Sequence, residues 1–177
     1  MTLDDVIKTA VEPALALLPK NMDSPMARVM LLAIGLQESR FEHRYQVTNE
    51  PGVKGPARGF WQFEKGGVRG VWRHHASAEP LRLICREREC PLDPTAIWQQ
   101  IETDDVLAAG VARLLLWTDP FPLPTPDQSD KAWTYYERNW RPGKPHPEFW
   151  ANNFAAATAV VFPPPAAAQP TTEDDDL

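Results

Sequence analysis

Glu38 is the residue with the clearest chemical potential in this 177-residue chain. It ends an almost wholly apolar run, Leu31-Leu32-Ala33-Ile34-Gly35-Leu36-Gln37-Glu38. A helix over this run puts Glu38 near its C-terminus, where the partial negative charge of the backbone disfavours an ionised acid. Apolar neighbours disfavour ionisation further. A carboxylic acid kept protonated near neutral pH is what a general acid requires. The alternative for such a residue is a helix-end acid paired with Arg40, Arg44 or Arg58.

About twenty residues on comes Gly55-Pro56-Ala57-Arg58-Gly59-Phe60-Trp61-Gln62-Phe63, rich in groups that bind sugars. Gly55 and Gly59 permit a close approach of backbone to a ligand, or serve ordinary turns. The Gln62 amide suits an N-acetyl group or the acid itself. Trp61 can stack on a sugar ring or pack beneath the loop. Ser39 can orient Glu38 or cap its helix. Later, Tyr135 and Asn139 share a helix face at i, i+4. Either Tyr135 or Tyr136 is expected to point into the cleft.

These residues, in this order, resemble the lytic transglycosylase branch of the lysozyme-like superfamily. That family carries a Glu-Ser pair at a helix end, a Gly-x-x-Gly-Leu-Met-Gln-like loop and an Ala-Tyr-Asn-x-Gly segment. The similarity spans about Val29 to Gly143. Phe60-Trp61 stands where the family has Leu-Met, and Tyr135-Tyr136 is separated from Asn139. The resemblance implies a mainly α, lysozyme-like helical domain with at most a small β-hairpin. It implies cleavage of the bond between N-acetylmuramic acid and N-acetylglucosamine in peptidoglycan glycan strands. Glu38 would be the catalytic acid and base, with Ser39, Gly59, Trp61, Gln62, Tyr135, Tyr136 and Asn139 on the substrate. No metal and no cofactor is implied.

Two alternatives stand beside this expectation. Glu64, two residues after Gln62, would activate water and give a lysozyme-type hydrolase if it faced Glu38; otherwise it partners Lys65. A non-catalytic virion protein on the same scaffold is the third reading. No basic n-region or cleavage site opens the chain, so synthesis in a host cytoplasm without a signal peptide is expected. That absence and the acidic tail resemble the bacteriophage-borne members, carried in virions to the cell wall, where other virion proteins are partners.

The elements that must position these groups read as helices nearly throughout. Thr2 and Asp5 form a capping box for a helix toward Leu18, with Pro13 as a kink. Ser24-Pro25 starts a helix to Ser39. Residues 42–60 read as loop, with a small hairpin near Gly59 to Phe63, and the glycines at 66, 67 and 70 mark a second irregular stretch. Helices are expected within 78–90, from Pro94 to Ile101, from about Thr103 to Trp117, from Gln128 to Arg138, and from Pro147 to Val160. A Pro-rich connector spans 120–126. Residues 1–162 form one domain, and 163–177 form a Pro/Ala-rich acidic tail that cannot bury enough apolar surface to order itself.

The net charge is −6 from 18 basic and 24 acidic residues. Glu173, Asp174, Asp175 and Asp176 account for four of those acids; the rest of the chain stands near −2. A neutral body without a Lys/Arg stripe argues against nucleic-acid binding. The longest apolar run is too short to span a membrane. Cys85 and Cys90, at C-x4-C spacing, make a poor zinc pattern and read as free thiols or an optional disulfide. His74 and His75 read as a surface pair.

Overall fold

In the computed structural model, which describes residues 1–164, helix α3 (Pro25–Ser39) carries the site. The Ser24 hydroxyl accepts the Ala27 N–H at 3.1 Å. Pro25 follows where no N–H is needed. Every residue from Val29 to Gly35 is buried. The helix is therefore apolar all round, as a central helix must be. A second central helix, α7 (Asp105–Thr118), is buried from Leu107 to Leu114. Its cap is Asp104, which accepts the Leu107 N–H at 2.9 Å.

The N-terminal segment has the expected capping box, with the Asp5 N–H on the Thr2 hydroxyl at 3.1 Å. Helix α1 (Leu3–Val6) passes through a π-helical segment, Ile7–Val11, into α2 (Glu12–Ala16). The expected kink at Pro13 takes this form because proline lacks an N–H and its ring crowds the carbonyl four residues back. A π turn widens the helix by one residue before the proline, and the Glu12 N–H accordingly reaches the Ile7 carbonyl.

Two sequence expectations are corrected here. Residues 42–60 are not a plain loop: β1 (Tyr45–Val47) and β2 (Lys54–Arg58) pair antiparallel, Tyr45 opposite Arg58 and Val47 opposite Lys54. The hairpin thus precedes residues 59–63, which form a tight turn closed by a bridge between Arg58 and Phe63. Strand β1 is exposed throughout, so no apolar alternation marks it. Ion pairs pin the hairpin instead: Arg58 meets Glu102 at 2.8 Å, and Lys54 and Arg44 meet Glu102 and Asp105.

The glycine-rich stretch is likewise helical, α4 (Lys65–Arg73). Val68 and Val71 are fully buried. That packing outweighs a glycine cost of about 1 kcal/mol per residue. Helices α5 (Ala78–Glu87) and α6 (Pro94–Gln100) follow. Asp93 caps α6 by accepting the Thr95 and Ala96 N–H groups. Helices α4 and α5 pack on α7, and α6 on α4. Helix α8 (Ser129–Trp140) runs two residues beyond its expected end, and α9 (Pro147–Val161) packs along α3.

The chain is therefore mainly helical, 60% helix, with one small two-stranded antiparallel sheet. Among the described residues no helix is long and apolar enough to cross a membrane. The expected tail at 163–177 lies outside the described residues from 165 onward.

Candidate active site

Glu38 occupies the last turn of α3 and is half-buried. The Tyr136 hydroxyl donates to its Oε1 at 2.7 Å. Burial raises the carboxyl pKa to about 7, against the opposing pull of the Tyr136 hydrogen bond. A charge moved out of water loses hydration that one hydroxyl does not replace. The arginines expected as alternative partners are engaged elsewhere. Arg44 pairs with Asp105, Arg58 with Glu102, and Arg40 lies over the Phe149 ring at 5.4 Å. Among the described residues Glu38 has no ion pair.

Tyr136 is held by an aromatic stack on α8 and α9. Its ring lies parallel to Trp150 at 5.2 Å between centroids and 14° between planes, with Trp133 at 5.3 Å. Burial and the neighbouring carboxylate keep the phenol protonated far above neutrality. Between the two tyrosines left open by the sequence, Tyr136 therefore meets the acid. Tyr135 does not: it is buried, and its hydroxyl donates to the Leu116 carbonyl at 2.9 Å.

The turn at 59–63 is fastened to α3 by groups expected to touch substrate. The Ser39 hydroxyl donates to the Phe60 carbonyl at 2.7 Å and accepts the Phe41 N–H at 3.1 Å. It reaches main chain, not Glu38. Trp61 is fully buried and donates from Nε1 to the Leu31 carbonyl at 2.8 Å, so it packs under the loop and stacks on no sugar. Gly59 has φ +70°, and a Cβ there would stand 2.6 Å from the Ile101 carbonyl oxygen. Its close approach is to protein, not to a glycan. Gly55 likewise faces the Gln46 side chain.

Phe41 follows Ser39 and packs edge-on against Phe60 and Trp61. Its ring occupies the space a side chain at Gly35 would need. Arg40, Phe41, Gln62 and Arg141 all adopt positive φ near +50°. Such conformations in residues other than glycine cost free energy and cluster at functional sites.

A cleft of about 690 Å³ opens over Glu38. Gln46, Ala57, Gln62 and Phe63 line it from the hairpin and turn, and Asn139 through Lys144 from the end of α8. Gln62 is half-buried on this wall; its amide donates to the Gly59 carbonyl at 2.8 Å. Asn139 lines the cleft, but its amide nitrogen is held by Asp119 at 2.7 Å and by the Tyr135 carbonyl at 2.8 Å. Glu64 is exposed on the same wall without an ion pair among the described residues. Its expected partner, Lys65, lies over the Trp98 ring at 4.6 Å.

Sequence reasoning brought Glu38, Gln62 and Asn139 to one cleft and missed Gln46, Trp140, Arg141 and Lys144. Tyr136 is buried and does not line the cleft, reaching it only through its hydrogen bond to Glu38. The signal for Arg141 was the stop Arg141-Pro142-Gly143, which turns the chain across the cleft. Among the described residues no group of three or more His, Cys, Asp or Glu stands where it could hold a metal ion. His74 and His75 stack on each other, and the His74 ring accepts the Ala76 N–H. Cys85 and Cys90 are buried free thiols. In comparisons with known proteins, the chain matches no family model, no curated protein and no solved structure.

Proposed function

We propose that this cleft cuts peptidoglycan glycan strands, and that the chain is a lytic transglycosylase of lysozyme-like type. The observation that carries this reading is Glu38: a carboxyl with a pKa near 7, hydrogen-bonded by Tyr136 and open to a cleft of about 690 Å³. A carboxyl with that pKa is present in both protonation states at neutral pH, as a group that must give and retake a proton requires.

The reaction needs one such group. Glu38 protonates the oxygen between C1 of N-acetylmuramic acid and C4 of N-acetylglucosamine, and the C1–O bond breaks. The muramoyl 6-hydroxyl then attacks C1 and returns its proton to Glu38. The product is a 1,6-anhydro ring, and the nucleophile belongs to the substrate. Tyr136 steadies the carboxylate while it is charged and fixes its direction. Gln62, Gln46 and Asn139 line the wall where N-acetyl groups and hydroxyls of the glycan lie. The virion is the proposed setting, with the cell wall as target.

A second reading rests on Glu64, an exposed carboxylate on the same cleft. Glycosidases that hydrolyse with inversion place a base opposite the acid to activate water. The two readings separate by product. Digestion of purified peptidoglycan is expected to release 1,6-anhydro muropeptides, unchanged by Glu64→Gln. Reducing-end products that vanish with Glu64→Gln would establish hydrolysis instead.

A further inference from the structure

Arg113, in the middle of α7, is a buried cation that the Glu38 cleft does not use. It is 3% exposed. Its Nε donates to the Met22 carbonyl at 2.6 Å, and its guanidinium lies 5.0 Å from the centre of the Trp117 ring. Its Nη1 is buried with no hydrogen-bond partner. The two nearby acids are taken: Asp23 pairs with Arg28 at 2.9 Å and Asp119 with Arg138 at 2.7 Å. Burial lowers the guanidinium pKa only to about 10, so the group stays charged at neutral pH.

A buried charge held by one carbonyl and one ring face is short of the hydrogen bonds that offset its lost hydration. A guanidinium offers five donors in a planar fork, shaped for an oxyanion. Arg113 also lines a pocket of about 360 Å³ whose other walls include Leu116, Trp117, Phe121 and Leu123. Asn21, Ser24 and Tyr135 add polar groups beside Arg113, and that size and mixed lining suit a small organic ligand. The Pro-rich connector at 120–126 forms its outer edge, with Phe121 61% exposed at the lip. The Asp119 carboxylate also faces the pocket, but it is paired with Arg138 and accepts a hydrogen bond from the Asn139 amide.

We infer that this pocket binds a small organic carboxylate with an apolar body, its carboxylate on Arg113 and its body against Trp117, Phe121 and Leu123. The test is a titration of the full chain, followed by amide and indole N–H chemical shifts, with 3-phenylpropionate, its neutral amide, and acetate. Saturable shifts at the Trp117 indole and Leu123 amide are expected with 3-phenylpropionate. The amide and acetate should bind at least tenfold more weakly, for want of the charge and of the apolar body. Arg113→Lys should weaken binding at least tenfold. Because a change at Arg113 can unfold the chain, Leu123→Trp serves as a second variant: it fills a half-buried wall and should abolish the shifts. Glu38→Gln should leave them unchanged. Absence of saturable shifts, equal binding of the neutral amide, or binding indifferent to Leu123→Trp would overturn the inference.

Discussion

At the scale of the residue, the half-buried Glu38 carboxyl would link the proposed activity to stability through one pKa. Below about pH 4.5 the group is neutral in both folded and unfolded chains and contributes nothing. Between pH 4.5 and about 7 the unfolded chain ionises it while the folded chain keeps its proton, so stability falls as pH rises. Above about 7 the penalty is complete, about 3 kcal/mol. Glu38→Gln removes the charge and keeps an acceptor for Tyr136. Chemical denaturation should therefore show the variant more stable than the parent at pH 8, by up to that amount, and equal to it at pH 4. The same substitution should lower glycan cleavage by about 10²–10⁴-fold or more. Tyr136→Phe deletes the hydrogen bond that favours the charged carboxyl. The descending limb of the pH–activity profile, expected near pH 7 in the parent, should move to higher pH in that variant. An unmoved limb would mean that Tyr136 does not set the acid.

At the scale of the element, α3 and the turn at 59–63 form one unit. Ser39→Ala strips the donor from the buried Phe60 carbonyl and should cost about 1–3 kcal/mol in denaturant unfolding. Gly59→Ala puts a Cβ into the Ile101 carbonyl at positive φ and should cost about 2 kcal/mol or more. Both losses are local to the turn that carries Gln62, so cleavage should fall with them even where the chain stays folded. The legibility of these elements follows their physics. Helix α3 was readable because Ser24-Pro25 is a start signal encoded in two adjacent residues and its apolar run is unbroken. The Thr2–Asp5 capping box was readable for the same reason. The β1–β2 hairpin was not, because charge pairs made by Arg58 and Lys54 with Glu102, distant in sequence, hold an exposed strand in place. Helix α4 was hidden by glycines whose cost is offset by Val68 and Val71, a packing gain no local pattern displays. Ser39, Gly59 and Trp61 were singled out as important residues for a reason that proved different: they build the site's frame and do not face its cleft. Choosing Tyr136 over Tyr135 needed the rotation of α8 against α3 and α9, which adjacent tyrosines do not encode.

At the scale of the molecule, two central helices, α3 and α7, each present one unusual ionisable side chain. Glu38 opens toward the hairpin and the end of α8; Arg113 lies against the Pro-rich connector. Outside the four acids near the C-terminus the chain is nearly neutral. Under the proposed function, long-range attraction to an anionic wall polymer would be weak, and glycan capture would rest on the cleft's own contacts. Cleavage should accordingly vary little with salt between about 50 and 200 mM, a range over which binding driven by many cationic contacts weakens steeply. The most direct measurement is mass spectrometry of purified peptidoglycan digested by the parent chain and by Glu38→Gln. The parent should release 1,6-anhydro muropeptides, and the folded Glu38→Gln variant should release at least about 10²-fold less. Reducing-end products from the parent, no products at all, or undiminished release by the variant would contradict the role assigned to Glu38.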